Sequence, residues 1–127
     1  MTPLLLALDL GTTSLIGRLT GLDGQVLAEA SLDNPQQQFG ADVLQRMDSA
    51  LTGSAEALQH QLVAGINLLV GQLLAASGCA LQQISAAVAA ANPAISHLLA
   101  GQSVRPLLSP PHRPAYWAGD FLASDVL

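Results

Sequence analysis

A chain of 127 residues with a formal net charge of −5 has room for one domain around one core. Half of it is hydrophobic, yet Phe39, Tyr116, Trp117 and Phe121 are the whole aromatic complement, so the core has to be built from Leu, Val, Ile and Ala. The positive side chains are the scattered Arg18, Arg46, Arg105 and Arg113, with no lysine, which excludes a P-loop lysine and Schiff-base chemistry and argues against a nucleic-acid partner. Cys79 stands alone, so this chain holds no internal disulfide and no cysteine set for zinc or an iron–sulfur cluster.

Leu4 to Leu8 is a continuous apolar run of the kind expected for a central strand buried on both faces. It meets a sharp polar turn, Asp9-Leu10-Gly11-Thr12-Thr13-Ser14. From Ser14 to Thr20 the pattern alternates, with Ile16, Arg18 and Thr20 on one face and Leu15, Gly17 and Leu19 on the other. Gly21-Leu22-Asp23-Gly24 signals a hairpin turn, and Gln25 to Leu32 alternates again, completing an antiparallel meander. Asp33-Asn34-Pro35 reads as a break followed by loop to Gly40.

Ala41 to Leu51 has helical spacing, and after Thr52-Gly53-Ser54 a longer helix is predicted over Ala55 to Ser77. Its apolar stripe is Leu58, Leu62, Ile66, Leu69 and Leu73, widened by Val70 and Leu74, with Gly78 as the C-cap residue. Ile84 to Ala91 is a fourth strand for which its alanines make helix a competitor. Asn92-Pro93 begins a helix, Asn as N-cap and Pro at the first position, with Ile95, Leu98 and Leu99 inward. Four prolines between Pro106 and Pro114 mark an irregular segment, and Tyr116 to Leu127 suits a short helix in which Tyr116 and Trp117 pack the tail onto the body. Residues 1–103 thus form a partial α/β subdomain and 104–127 a Pro-rich connector. The apolar run at the start and the interrupted Leu62–Ala76 stretch do not read as membrane spans, and no basic leader precedes them; a cytoplasmic location is expected.

The order β-β-β-α-α-β-α, with the fourth strand returning parallel beside the first, describes a ribonuclease-H-like half-domain that needs a further helix and strand, the last strand expected beyond Leu127. Its fourth strand would then show an unpaired edge, so a fragment of this extent is expected to self-associate.

Chemistry is concentrated at the first turn. A hairpin loop presents successive N–H groups, Gly11 admits a phosphate close to the backbone, and Thr12, Thr13 and Ser14 add hydroxyl donors. Asp9, at the end of the strand, is placed to hold Mg2+ through water. The same residues also suit an ordinary polar turn. Asp42 and Arg46 have the four-residue spacing of a surface ion pair on a helix. Asn92 is either a cap alone or a cap with a site role, and His97 is either a surface residue of the last helix or a site candidate. Cys79 reads as a small, partly buried hydrophobe, and His60 and His112 have no partner at ligand spacing.

Three segments in order carry a family likeness: Leu8-Asp9-Leu10-Gly11-Thr12-Thr13, then Asn34-Pro35-Gln36 with Phe39-Gly40-Ala41-Asp42-Val43 and Arg46, then Asn92 through His97-Leu98-Leu99-Ala100-Gly101 with Arg105-Pro106-Leu107. The first resembles the phosphate motif of actin-like (ASKHA) ATPases; all three together resemble the reductive activators of corrinoid proteins. That resemblance implies ATP and Mg2+ bound between two ribonuclease-H-like halves, and ATP-driven reduction of a cobalt(II) corrinoid on a methyltransferase protein. It also draws Asp42 towards the cleft and Asn92 and His97 towards the site. The chain departs from the family pattern in lacking the [2Fe–2S] domain, and in replacing two threonines after Asn92 with Pro93 and Ala94. The alternatives are an actin-fold small-molecule kinase, against which the middle segment argues, and a non-catalytic interaction module that has kept the fold.

Overall fold

The computed structural model describes residues 2–40 and 42–108. Strands β1 (Leu4–Leu10), β2 (Ser14–Gly21) and β3 (Val26–Asp33) form the expected antiparallel meander, and β4 (Ile84–Ala91) pairs parallel with β1, giving the order β3-β2-β1-β4. Between β3 and β4 run a 3-10 turn (Pro35–Phe39), helix α1 (Val43–Ser49) and helix α2 (Ala55–Ser77); α3 (Pro93–Ala100) and the one-turn α4 (Arg105–Leu108) follow β4. The Ile84–Ala91 segment is therefore a strand, because pairing with β1 satisfies its backbone where alanine propensity alone would favour helix.

Helix α2 sets the core. Leu58, Leu62, Ile66, Leu69 and Leu73 are each fully buried, the spacing that keeps one face of a helix against a sheet. Burial of each such side chain contributes about 1.5–3 kcal/mol. The counterparts of Leu62, Ile66, Leu69 and Leu73 are Leu4, Leu6, Leu8 and Leu10 of β1 and Leu15 and Leu19 of β2, joined by Ile95 and Leu99 of α3. The Val43–Ser77 stretch is long and apolar enough to cross a membrane by length and composition, but in this fold its α2 stripe is spent on the sheet. Close approach is possible at Gly65, where a Cβ would lie 2.9 Å from Leu15 and 3.0 Å from Pro35. Gly78 ends α2 in the left-handed conformation, its N–H donated to the Leu74 carbonyl.

One expectation for β1 fails. The strand is central by pairing but buried on one face only: Leu5, Ala7 and Asp9 point away from α2 and are exposed. Among the described residues, α2 and α3 both cover the same side of the sheet, and no helix lies on the other. Leu5, Ile16, Leu27 and Val88 accordingly remain exposed, and Ser85 to Ala90 of β4 are all exposed. A second, smaller cluster joins Met47 and Ala50 to Leu58, Ala94, Leu98 and Val104, with Phe39, Val43, Leu107 and Leu108 against it. The beginning of the proline-rich segment is thus a helical turn packed on the body, with Val104 buried, where irregular chain was expected. The expected helix from Tyr116 to Leu127 lies outside the described residues.

Candidate functional site

The loop between β1 and β2 is closed by the Gly11 N–H donating to the Ser14 carbonyl at 2.9 Å. A Cβ at Gly11 would meet that oxygen at 2.8 Å, so the turn requires glycine there. The Gly11 amide is therefore consumed inside the loop, and amides free to donate come from the residues after it.

Asn34 decides which way those donors point. Its side chain is buried and does two jobs: Nδ2 donates to the Gly11 carbonyl at 2.9 Å, and Oδ1 accepts from the Gln36 N–H at 2.9 Å, capping the 3-10 turn. Its backbone N–H donates to the Thr13 carbonyl at 2.8 Å, and Gln37 Nε2 donates to the same oxygen at 3.0 Å. In a trans peptide the C=O and the following N–H point in opposite directions. Pulling the Gly11 and Thr13 carbonyls onto the 34–37 segment therefore turns the N–H groups of Thr12 and Ser14 the other way. The backbone amides of Thr12 and Thr13 have no protein acceptor among the described residues. Gln36, fully buried, anchors the bracket to α2 by donating Nε2 to the Leu58 carbonyl at 2.9 Å.

A second asparagine approaches the loop's other side. Asn92 caps α3 through Oδ1, which accepts the Ile95 N–H at 2.9 Å, and its Nδ2 donates to Thr12 Oγ1 at 3.3 Å. The cap role and the site role coexist in one side chain. Pro93 occupies the first helical position, where a missing N–H removes no intrahelical bond, so the exchange of threonine for proline is neutral for α3 itself.

Asp9 lies on the open face of the sheet, opposite Ile16 on β2 and Ala90 on β4, two residues before Gly11. No side chain among the described residues hydrogen-bonds its carboxylate, and none of those residues form a cluster of three metal-ligating groups. A hard cation here would rest on Asp9, water and the oxygens of a bound phosphate.

The structure places the other candidates elsewhere. His97 is fully buried, not on the surface of α3, and its Nδ1 lies 2.6 Å from the Pro93 carbonyl, which accepts its proton. Asp42 is exposed and caps α1, its Oδ1 accepting the Gln45 N–H at 2.8 Å. The expected surface ion pair between Asp42 and Arg46 is not formed. Arg46 is only 1% exposed, and its Nε donates to the Gly40 carbonyl at 2.8 Å. Burial lowers its proton affinity from the ordinary value and the charge of Asp42 partly restores it. Among the described residues the ion pair that does form is Arg18–Glu29 at 2.9 Å, half exposed on the open face and worth little. Cys79 is a half-buried free thiol against the main core.

The loop-bracketing roles of Asn34, Gln36 and Gln37 were not read from the sequence, where Asn34-Pro35-Gln36 carried part of the family likeness and the segment otherwise stood as a break and a loop. The available signal was that Asn34-Pro35 repeats the Asn92-Pro93 pair.

A three-stranded meander extended by a parallel fourth strand, with a glycine hairpin loop at the end of β1, defines an α/β half-domain of the ribonuclease-H-like class. Within that class the chain belongs to the family described as the RACo middle region, which matches residues 4–125. A solved structure described as "Reductive activator for corrinoid,iron-sulfur protein" superimposes with a TM-score of 0.87 at 32% sequence identity, over 90% of this chain and 19% of that one. The chain thus spans less than a fifth of the length of that relative. No curated protein matches it significantly.

Proposed function

We propose that this chain supplies the first phosphate-binding element of an ATP-dependent reductive activator, whose target is a corrinoid iron–sulfur protein. The observation that carries the reading is the Asn34 bracket, which holds the Gly11 and Thr13 carbonyls and so turns the Thr12 and Ser14 amides away from them, while the Thr12 and Thr13 amides have no acceptor among the described residues. Those amides and the adjoining hydroxyls bind and orient the phosphate chain, and Asn92 positions the Thr12 hydroxyl. Asp9 would be the residue to hold Mg2+, which would supply neutralisation of phosphate charge. The target follows from family membership and from the protein that the matched activator serves. With Cys79 the sole cysteine, the electron for the corrinoid comes from a group outside this chain.

One wall of a cleft binds weakly, on the order of millimolar. Calorimetric titration of the chain with Mg-pyrophosphate and Mg-ATP should show saturable heat that Asp9→Ala reduces several-fold. Absence of heat in the wild-type chain at tens of millimolar, with fold intact, would sink the phosphate assignment. Association with a corrinoid iron–sulfur protein is a separate measurement, by sedimentation of the mixture.

A further inference from the structure

Arg46 is the one described side chain whose burial the fold leaves unexplained. Only 1% of it is exposed, and both Nη1 and Nη2 are buried with no hydrogen-bond acceptor among the described residues. Buried guanidinium nitrogens normally face a carbonyl or an anion, because water's hydrogen bonds have been given up. Only Nε is satisfied, and the manner is informative. Gly40 brings its carbonyl to Nε at 2.8 Å with φ 137° and ψ 135°, a conformation that side-chain-bearing residues rarely adopt. A Cβ at Gly40 would sit 2.5 Å from the Gln45 Cβ and 3.1 Å from the Arg46 amide. The glycine thus holds the guanidinium by one edge and leaves its two-nitrogen end covered but without a hydrogen-bond partner among the described residues.

We infer that Arg46 is a receptor for a carboxylate group, gripped by Nη1 and Nη2 in the two-pronged geometry that guanidinium and carboxylate share. Carboxylate is favoured over a phosphate dianion for two reasons. A guanidinium carries one positive charge, and the charge of Asp42 already acts on it. Val43 and Ala50, one turn either side of Arg46, belong to or pack against the second apolar cluster, so the surroundings suit a singly charged group neutralised on arrival. Asp42 is not that carboxylate: its Oδ1 accepts the Gln45 amide, and it forms no ion pair with Arg46. The carboxylate belongs to a small acid or to an acidic side chain of another polypeptide; the recognition chemistry is the same. Since the nitrogens are covered, entry requires displacement of the cover, and binding should be slow and specific. The inference is independent of the phosphate loop.

The test uses the full chain with nitrogen-15 label, following the Arg46 Nε–H and Nη–H resonances, assigned by their loss in Arg46→Lys or, if that variant does not fold, through bonds in the wild-type chain. Acetate, succinate and an acetylated tripeptide amide carrying one glutamate are titrated against chloride at equal ionic strength, with inorganic phosphate as a further arm. Saturable shifts of the Arg46 resonances with a carboxylate and not with chloride support the inference; tighter binding of the tripeptide than of acetate assigns the source to a protein side chain, the reverse to a small acid. Arg46→Met should weaken carboxylate binding at least about tenfold, followed in wild type and variant alike through the backbone amide shifts of Gly40 and Asp42. If no carboxylate moves these resonances in the wild-type chain, or if phosphate alone does, the inference is overturned, whatever the variants do.

Discussion

Two Asn-Pro pairs meet the same loop from different sides, and they do it on different terms. Asn34-Pro35 and Asn92-Pro93 each start a helical segment with asparagine as N-cap and proline at the first position. Each uses Oδ1 for the cap and Nδ2 for the loop. Asn34, however, is 1% exposed and holds a backbone carbonyl, whereas Asn92 is exposed and holds the Thr12 hydroxyl at the longer distance of 3.3 Å. The first is a structural clamp that sets peptide orientation; the second is a solvent-side tether on a group that can rotate. The same dipeptide is therefore stabilising in one place and tuning in the other, and burial is what separates them.

The largest expected effect tests the clamp. Asn34→Ala removes the cap and strands the Gly11 carbonyl, at about 2–4 kcal/mol from the two effects together. Urea unfolding reads this directly, and Mg-pyrophosphate heat should vanish under conditions where the variant is still folded. A loss below about 0.5 kcal/mol, the size of an ordinary surface substitution, would show that the bracket is dispensable. Asn34→Asp sharpens the point, because a carboxylate can cap but cannot donate to Gly11. Burial there raises the carboxyl's folded-state pKa above its unfolded value, so the variant should regain stability relative to wild type as pH falls towards 4, where the neutral acid can donate. Asn34→Ala should show no such recovery.

Next in size is Gly65→Val, which acts on the clamp from behind. Its added carbons meet Leu15 and Pro35, and overpacking of this kind costs about 1–3 kcal/mol. Because Pro35 follows Asn34, amide exchange at Asn34 should accelerate more than exchange at Leu32. Equal acceleration at both positions would mean that the strain spreads through the sheet instead of unseating the bracket.

How much of this was legible depends on whether neighbouring positions differ in polarity. The bounds and stripe of α2 were readable because polar residues such as Gln59, His60 and Asn67 separate its leucines at helical spacing. In β1 the run Leu4-Leu5-Leu6 carries no such contrast, so alternation of its burial was invisible until α2 and α3 were seen to share one side. Asn92 was recognised as a cap because Ile95, Leu98 and Leu99 follow it with helical period. Asn34 is followed by Gln36-Gln37-Gln38, which has no apolar period, and a 3-10 turn held by glutamine side chains leaves no hydrophobic trace. Arg46 misled in the opposite way. Its spacing from Asp42 is that of an exposed pair, but Asp42 spends its oxygen on the Gln45 amide, and tertiary packing encloses the arginine. The loop itself was found from the sequence; the reason its Thr12 amide turns away from the bracket was not, since it rests on a contact between Gly11 and a residue 23 positions away.

The smallest effects probe the tether. Asn92→Ala should cost about 1 kcal/mol, the worth of the cap alone, because an exposed hydroxyl partner can turn to water. Asn92→Asp then separates stability from binding. The carboxylate still accepts the Ile95 amide and gains a favourable interaction with the helix N-terminus of about 0.3–1 kcal/mol, offsetting the lost Thr12 contact. Net stability should therefore change by less than about 0.5 kcal/mol relative to wild type. Binding should not be spared: a negative charge beside Thr12 repels the incoming anion, and Mg-pyrophosphate affinity should fall several-fold, with the loss shrinking as salt is raised. If stability and affinity fall together, Asn92 is a second clamp and the contrast with Asn34 collapses. If neither falls, the phosphate does not pass Thr12, and the ligand side of the loop must be sought nearer Ser14.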